Sequence, residues 1–566
     1  MTFLITEPES IAAVAANVEQ IGSAINAAKA AAAGPTSGFL APAADEVSAA
    51  VTKLFGLCGQ EYQAAVAQAT QFHSQFVQAL AAAGGAYAAA EAAASNALGG
   101  TGAAGAAVSA TSALTDPAVD VAIVLGGSGN PIPSPTYING VLKWATQGGF
   151  TWGSVEALFT PEGLYPLTGV RSLPLNISVS QGVEILDAAI KQQIAAGNTV
   201  LVQSYSQSSI IASIEMQQLL ASATPPPSNQ LYFNLLADPM NPNGGLLERF
   251  AGLFLPSLGL DFYGATPANT PWTTNIFSLE YDGFADFPQY PIDILSDLNA
   301  VAGIAFVHPT YPKIDPTTTS FVQLPVESTY TGHTTYFMGM TPNLPLLDPL
   351  RYVPFVGTPL ADLLQPDLTY LVNWGYGNPA YGYSTGPANV PTPFGLFPPL
   401  SATTVLPGDL VIGAQQGIAS AASDFMAEGA SGLSLPDISH SLSISLPSPT
   451  TLLSPSSIGG FVQSLETTDT HVVNAISQAA ADGYSVLLPT ADILNATVTA
   501  IPVYDFNLFV NGIAQAAGGD PVGLIHAIGD PLAASAGLLT VAGGVEGLVL
   551  AGAAADTIKA FVSLIP

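Results

Sequence analysis

Ser206, Asp282 and His308 follow one another along the chain in an order and with residue types suited to covalent acyl transfer. A serine hydroxyl is a weak nucleophile at neutral pH and needs a base within hydrogen-bond reach, which His308 would supply. The imidazole becomes positive as it takes the proton, and Asp282 would fix its tautomer and stabilise that charge. The oxyanion of the tetrahedral intermediate needs donors as well. The backbone N–H of Gln207, directly after the serine, is one candidate, and Ser128 in Gly126-Gly127-Ser128-Gly129 is the other. Asp238 and Asp286 are rival acids and His333 is a rival base. Asp282 and His308 are preferred because each ends an apolar run in the chain order that such sites require.

This chemistry needs a scaffold that exposes the serine. Residues 198–205 read as a short apolar strand, small residues surround Ser206, and apolar residues at helical spacing run over 210–222. Strand, sharp turn and helix make a nucleophile elbow, in which the residues two before and two after the nucleophile must be small. Ser204 and Ser208 meet that rule while replacing the usual glycines. Residues 119–125 read as a first strand delivering the Gly-rich loop. A helix follows over 178–196, strands over 231–238 and 275–282, and an apolar strand over 301–307 that reaches His308. Trp144, Phe150, Trp152, Leu158, Phe159 and Leu164 lie in a Gly-interrupted, irregular segment and read mostly as core, with a cleft cover as the alternative. Alternating strands and helices imply a parallel central sheet, and serine, acid, histidine is the chain order of the α/β-hydrolase fold.

The flanking regions differ in kind. Residues 8–33 place Ile11, Val14, Val18, Ile21 and Ile25 on one helical stripe, a Gly/Pro break follows at 34–38, and a second helix is expected over 42–97. Two helices alone bury little, so their apolar faces need a partner. Tyr87 and Glu91 stand four apart near the end of this hairpin. The expected division is a helical hairpin at 1–98, a Gly/Ala/Ser linker at 99–118, the α/β domain at 119–398 and an extension at 399–566. In the extension, 459–481 and 541–564 read as helices. The most apolar window, 537–555, is broken by Glu546, so no transmembrane span is expected.

Composition excludes some functions. Nine Lys and Arg face forty Asp and Glu, a formal charge of −31. Such a chain has no basic stripe for nucleic acid and would be repelled by an anionic membrane. Scarce charge with abundant Ala, Gly and Pro suits work in or near an apolar, lipid-rich layer. The single Cys58 forms no internal disulfide and reads as a small core residue. Residues 1–7 have no basic n-region of a signal peptide. No metal-ligand cluster or phosphate-cradling motif stands out, so no cofactor is expected.

Pro8-Glu9, the Ala-rich hairpin and Tyr87-x-x-x-Glu91 resemble the PE domain of mycobacterial PE proteins. That resemblance implies a PPE-family protein as partner of the hairpin, Tyr87 and Glu91 as part of a type VII secretion signal, and a secreted, cell-surface or cell-envelope location. Residues 119–398 resemble the PE-PPE domain, a cutinase-like serine hydrolase. Ser204-Tyr205-Ser206-Gln207-Ser208 is similar to the family's G-Y-S-Q-S, with Ser204 the departure. Gly127-Ser128, Asp282-Gly283-Phe284 and His308-Pro309-Thr310-Tyr311 resemble the cutinase oxyanion, acid and base elements. The implied activity is that of an esterase or lipase on acyl esters. The alternatives are an acyltransferase onto a sugar such as trehalose and a non-catalytic surface protein.

Overall fold

The chain alternates strand and helix, as its hydrophobic periodicity requires. β1 (Ala118–Val124) leads into α1 (Pro135–Gln147), β2 (Thr151–Ala157), α2 (Leu175–Ala195), β3 (Val200–Tyr205), α3 (Gln207–Ala221) and β4 (Leu231–Leu236). β5 (Thr273–Leu279), α4 (Ile294–Phe306), β6 (Phe321–Gln323) and β7 (Thr334–Gly339) complete the sheet. The long helices α5 (Gly357–Trp374), α6 (Leu400–Ala430), α7 (Leu487–Ala517) and α8 (Gly523–Val562) follow. This computed structural model describes residues 118–354, 356–430, 474–475, 477–479 and 481–562. The expected N-terminal hairpin with Tyr87 and Glu91, Cys58, and 99–117 of the linker lie outside the described residues.

The strands form a seven-stranded sheet in the order β2-β1-β3-β4-β5-β7-β6, parallel throughout except for β6, which pairs antiparallel with β7. A parallel sheet is buried on both faces, which is why β1, β3 and β4 read as largely apolar runs, while β5 mixes Ile276, Phe277 and Leu279 with Thr, Asn and Ser. On one face Val121, Ile123, Val202 and Phe233 pack with α2 and α3. On the other, Ala122, Val124 and Leu201 pack with Val141 and Trp144 of α1. Helices α2 and α3 approach closely, since a Cβ at Gly182 would collide with Ile211.

Two local expectations change. The segment around Trp144 is not irregular: Ser134 caps α1 by accepting a hydrogen bond from Tyr137 N, Pro135 starts it, and Trp144 is fully buried. Gly148 and Gly149 lie between α1 and β2 and interrupt neither. The apolar run 301–307 is the end of α4 and not a strand, with Asp293 capping the helix through Leu295 N. A short apolar run fits a strand or a buried helix equally, and only the cap upstream separates them. His308 therefore opens a one-turn 3-10 segment, His308–Thr310, directly after a helix.

Glycines let that helix sit against the loop after β5. A Cβ on Gly303 would meet the Tyr281 carbonyl, and one on Gly283 would meet the Ala300 carbonyl. In the C-terminal region α8 begins at Gly523, well before the expected 541, and packs against α7 as a long antiparallel hairpin. Gly512 of α7 lies against Ala527 of α8, and Glu546, which seemed to interrupt the apolar window, accepts a hydrogen bond from Thr490 at 2.6 Å. The hairpin docks on the α/β unit through Gly537 against Pro291 and Phe250 and Gly544 against Val301. The expected helix over 459–481 lies largely outside the described residues.

Buried charge ties the connecting loops to the sheet. Arg249 is fully buried, and its guanidinium donates to Phe287 O at 3.1 Å, Thr392 O at 2.5 Å and Ser384 Oγ at 2.9 Å. Asp238, also fully buried, accepts from Thr266 Oγ1 at 2.6 Å and Met240 N at 3.0 Å. Burial pushes its carboxyl up to about 7, against the pull of those donors.

Two outcomes follow. Gly303→Ala forces α4 away from Tyr281, so the unfolding free energy drops by about 1–3 kcal/mol in denaturant melts, while Ala302→Gly, a milder change on the same helix, does not disturb that packing. For Asp238, the native state holds a proton that the unfolded chain has released between about pH 4 and about pH 7, so its contribution to stability is lost as pH rises through that window. Asp238→Asn should therefore flatten the fall of the thermal midpoint from pH 4 to pH 7, and parallel curves for the two proteins would contradict this assignment.

Candidate active site

β3 and β4 each pass directly into a residue of positive φ, Ser206 at 61° and Ala237 at 49°, and β5 reaches one two residues past its end, Tyr281 at 65°. Non-glycine residues in this region cost on the order of 1–3 kcal/mol each and persist only where surrounding bonds over-determine them. At Ser206 those bonds are visible. Its N–H donates to Leu236 O at 3.0 Å. Ser208 Oγ accepts from Tyr205 N at 2.9 Å and donates to Tyr205 O at 3.0 Å. Ser209 Oγ donates to Leu236 O at 2.9 Å. Ser204, which stands where an elbow glycine is usual, is buried with its hydroxyl 3.0 Å from that of Ser209. The extra side chain thus fits by joining the hydroxyl lattice that holds the turn.

The turn brings Ser206 Oγ to 2.7 Å from His308 Nε2. His308 Nδ1 faces the Asp282 carboxylate at 2.8 Å and 2.9 Å from its two oxygens. With the Nδ1 proton donated to Asp282, Nε2 is left as the acceptor for the serine hydroxyl. Asp282 is fully buried and has two further donors, Tyr311 OH at 2.9 Å and Phe284 N at 3.1 Å. Tyr311 in turn accepts from Leu279 N at 2.6 Å, so the last residue of β5 orients the acid. Tyr205 donates to His308 O at 2.6 Å and stacks on the imidazole at 5.4 Å, and Phe284 meets the ring edge-on at 4.8 Å. The imidazole is thereby held between two aromatic rings and a carboxylate.

The rivals sit elsewhere. Asp238 is engaged by Thr266 and Met240. Asp286 accepts from Tyr281 N at 3.0 Å, and its full burial raises its pKa well above the carboxylate range. His333 bonds through its carbonyl to Thr274 N at the start of β5, so it lies at the opposite end of the sheet from Ser206. The oxyanion candidates are adjacent: Ser128 Oγ donates to Gln207 Oε1 at 2.9 Å, and Gln207 Nε2 donates to Ser178 Oγ at 2.7 Å. Gln207 is the first residue of α3, where backbone N–H groups have no intrahelical partner. Beside this loop Glu162 is buried against Thr160, and desolvation pushes its carboxyl up to about 8.

Ser128, Ser206 and Gln207 open onto an apolar cavity of about 100 Å³. Leu246, Leu258 and Phe262 form one wall, while Ile493 and Ile501 of α7 and Leu538 of α8 close it from the other side. The arrangement can move a proton from a hydroxyl to an imidazole and hold an apolar chain next to that hydroxyl. Among the described residues no group of three or more His, Cys, Asp or Glu side chains converges as metal ligands. Sequence reasoning missed Ser209, the positioning bonds of Tyr205 and Tyr311, and the part of α7 and α8 in the cavity. The one available signal for the last was the long, nearly uncharged apolar stretch at the C-terminal end.

Comparison with known proteins shows the family. Residues 4–94 match the PE family and residues 153–377 match the PE-PPE domain. The chain is 44% identical over 408 residues to PE family protein PE3 of Mycobacterium tuberculosis, covering 72% of this chain and 85% of that protein. It is 42% identical over 411 residues to the esterase PE16 of the same organism, covering 70% and 73%. It is 45% identical over 450 residues to PPE family protein PPE28, again of M. tuberculosis, covering 79% and 68%. No solved structure matches the chain. With an N-terminal PE domain followed by an α/β unit of this type, the chain belongs to the mycobacterial PE family and carries a PE-PPE domain.

Proposed function

We propose that this protein is a serine hydrolase that cleaves acyl esters through an acyl-enzyme on Ser206. The observation that carries the reading is His308 Nε2 at 2.7 Å from Ser206 Oγ with Nδ1 on the buried Asp282. An esterase, PE16, among relatives that share more than two thirds of their length supports the reaction class. In the reaction, Ser206 Oγ attacks the ester carbonyl as His308 Nε2 takes its proton, and Asp282 stabilises the resulting imidazolium. The oxyanion is met by Gln207 N–H and by Ser128. His308 then returns the proton to the departing alcohol, and water activated by the same imidazole releases the acid. The apolar cavity beside Ser206 suits the acyl chain.

A second reading changes only the acceptor. Because α7 and α8 close the cavity over Ser206, bulk water has restricted access, which favours an acyl-enzyme that survives to meet a sugar hydroxyl such as that of trehalose. The PE family match at residues 4–94, with Tyr87 and Glu91, fits export by type VII secretion with a PPE-family partner to the cell envelope.

The test is turnover of a p-nitrophenyl ester series by the full chain and its variants. Ser206→Ala should abolish turnover, and Asp282→Asn should lower kcat by about 10⁴-fold by presenting the wrong histidine tautomer. Ser128→Ala should lower kcat by about 10²-fold or more with little change in KM, as expected of a group that acts only in the transition state. Full activity of Ser206→Ala would remove the proposal. Release of p-nitrophenol that speeds up on addition of trehalose, with an acylated sugar as product, would select the acyltransferase reading.

A further inference from the structure

Helices α7 and α8 do two things at once. Their inner residues Ile493, Ala496 and Leu538 are buried, and with Ile501 and Val541 they line the cavity at Ser206. Their outer faces carry exposed large aliphatic and aromatic side chains: Val498, Phe506 and Ile528 are 61%, 62% and 68% exposed, and Leu494 and Leu532 are comparably open. Both helices are long and apolar enough to cross a membrane. A pair that crossed one could not also lie along the cavity wall with its inner face packed on Pro291 and Val301.

The few carboxylates on the hairpin have local hydrogen-bond partners. Asp492 accepts from Tyr165 OH at 2.6 Å, Asp505 from Ser535 Oγ at 2.6 Å, Asp530 faces His526 Nδ1 at 3.0 Å, and Glu546 accepts from Thr490 at 2.6 Å. The chain carries no Lys or Arg between Arg351 and Lys559, so nothing on this surface is set to recognise a phosphate or an acidic protein. Contiguous apolar faces of this extent mark an interaction site, and one without cationic anchors suits hydrocarbon more than an anionic headgroup. The two helices that carry this face also supply lining residues of the acyl cavity from their inner side. Among the described residues few polar bonds hold the hairpin down. The hydrolase domain's hydrogen bonds to α7 meet at Asp492, where Tyr165 OH reaches the carboxylate and Ser257 Oγ the carbonyl at 2.7 Å.

We propose that α7 and α8 form a roof over Ser206 whose outer face seats on the apolar surface of an uncharged lipid layer, so that an acyl chain passes from that layer into the cavity beneath the same helices. The occupant is the lipid itself, and the inference rests on the acyl-ester reading of the site. Seating draws on the hydrophobic gain of burying these side chains.

The test uses the full chain and phosphatidylcholine vesicles. Wild-type protein should co-sediment with them, and Val498→Glu/Phe506→Glu/Ile528→Glu should weaken that uptake by about tenfold or more while leaving turnover of water-soluble p-nitrophenyl acetate at the wild-type level. Ser206→Ala should co-sediment like wild type, so that loss of activity and loss of lipid binding are read separately. In case the triple variant folds poorly, a fluorophore on Val498→Cys in a Cys58→Ala background should shift its emission to the blue when vesicles are added. Wild-type protein that stays in solution, a triple variant that sediments equally, or an unshifted fluorophore would each overturn the proposal. So would a dimer dispersed by the same substitutions without any vesicle uptake, which would assign the face to a second copy of the chain.

Discussion

Ser206 can meet His308 only because its backbone is held at φ 61° and ψ −121° between the end of β3 and the start of α3. That conformation is unfavourable for a residue with a Cβ, and the structure sustains it with bonds from several directions. The backbone of Ser206 is tied to Leu236 of the neighbouring strand, and the hydroxyls of Ser204, Ser208 and Ser209 fill the places around it. Replacing glycine by Ser204 does not loosen this turn, because the added hydroxyl has a partner. The strained residue is thus supported from the neighbouring strand and from within the turn.

The acid and base depend on the same edge in a different way. Asp282 and His308 belong to loops, and loops are precise only when something else fixes them. Here β5 fixes Tyr311 through Leu279 N, Tyr311 fixes Asp282, and Tyr205 of the elbow strand fixes the His308 carbonyl and one face of its ring. The close packing of α4 on the Tyr281 carbonyl sets how far the base stands from the acid. Ser206, Asp282 and His308 are thus referenced to β3 and β5, parallel strands on either side of β4, so the distances among them follow from sheet geometry and not from loop conformation alone.

Much of this was legible in the sequence, for identifiable reasons. Strands buried on both faces leave largely apolar runs, so β1, β3 and β4 stood out, while β5, richer in Thr, Asn and Ser, lies at 273–279 against the expected 275–282. The elbow was legible because its size rule constrains Ser204 and Ser208 in the chain itself. The run before His308 was misread as a strand because a buried helix and a buried strand look alike over seven residues, and Asp293, the cap that separates them, lies fifteen residues upstream of His308. The hydroxyl lattice and the tyrosine bonds were not legible, since they join residues distant in the chain through side-chain geometry. The roof of α7 and α8 escaped for the opposite reason: helices apolar on several faces have no periodic stripe to reveal which face is buried.

The account's central claim is that Ser206 carries the acyl group. The most direct measurement is mass spectrometry of the full chain quenched in acid during turnover of a p-nitrophenyl ester, followed by proteolysis. The account predicts an added acyl mass on the peptide containing Ser206, absent from Ser206→Ala and accumulating when deacylation is slowed. Turnover with the adduct on another residue, or turnover by the Ser206→Ala protein with no adduct at all, would contradict it.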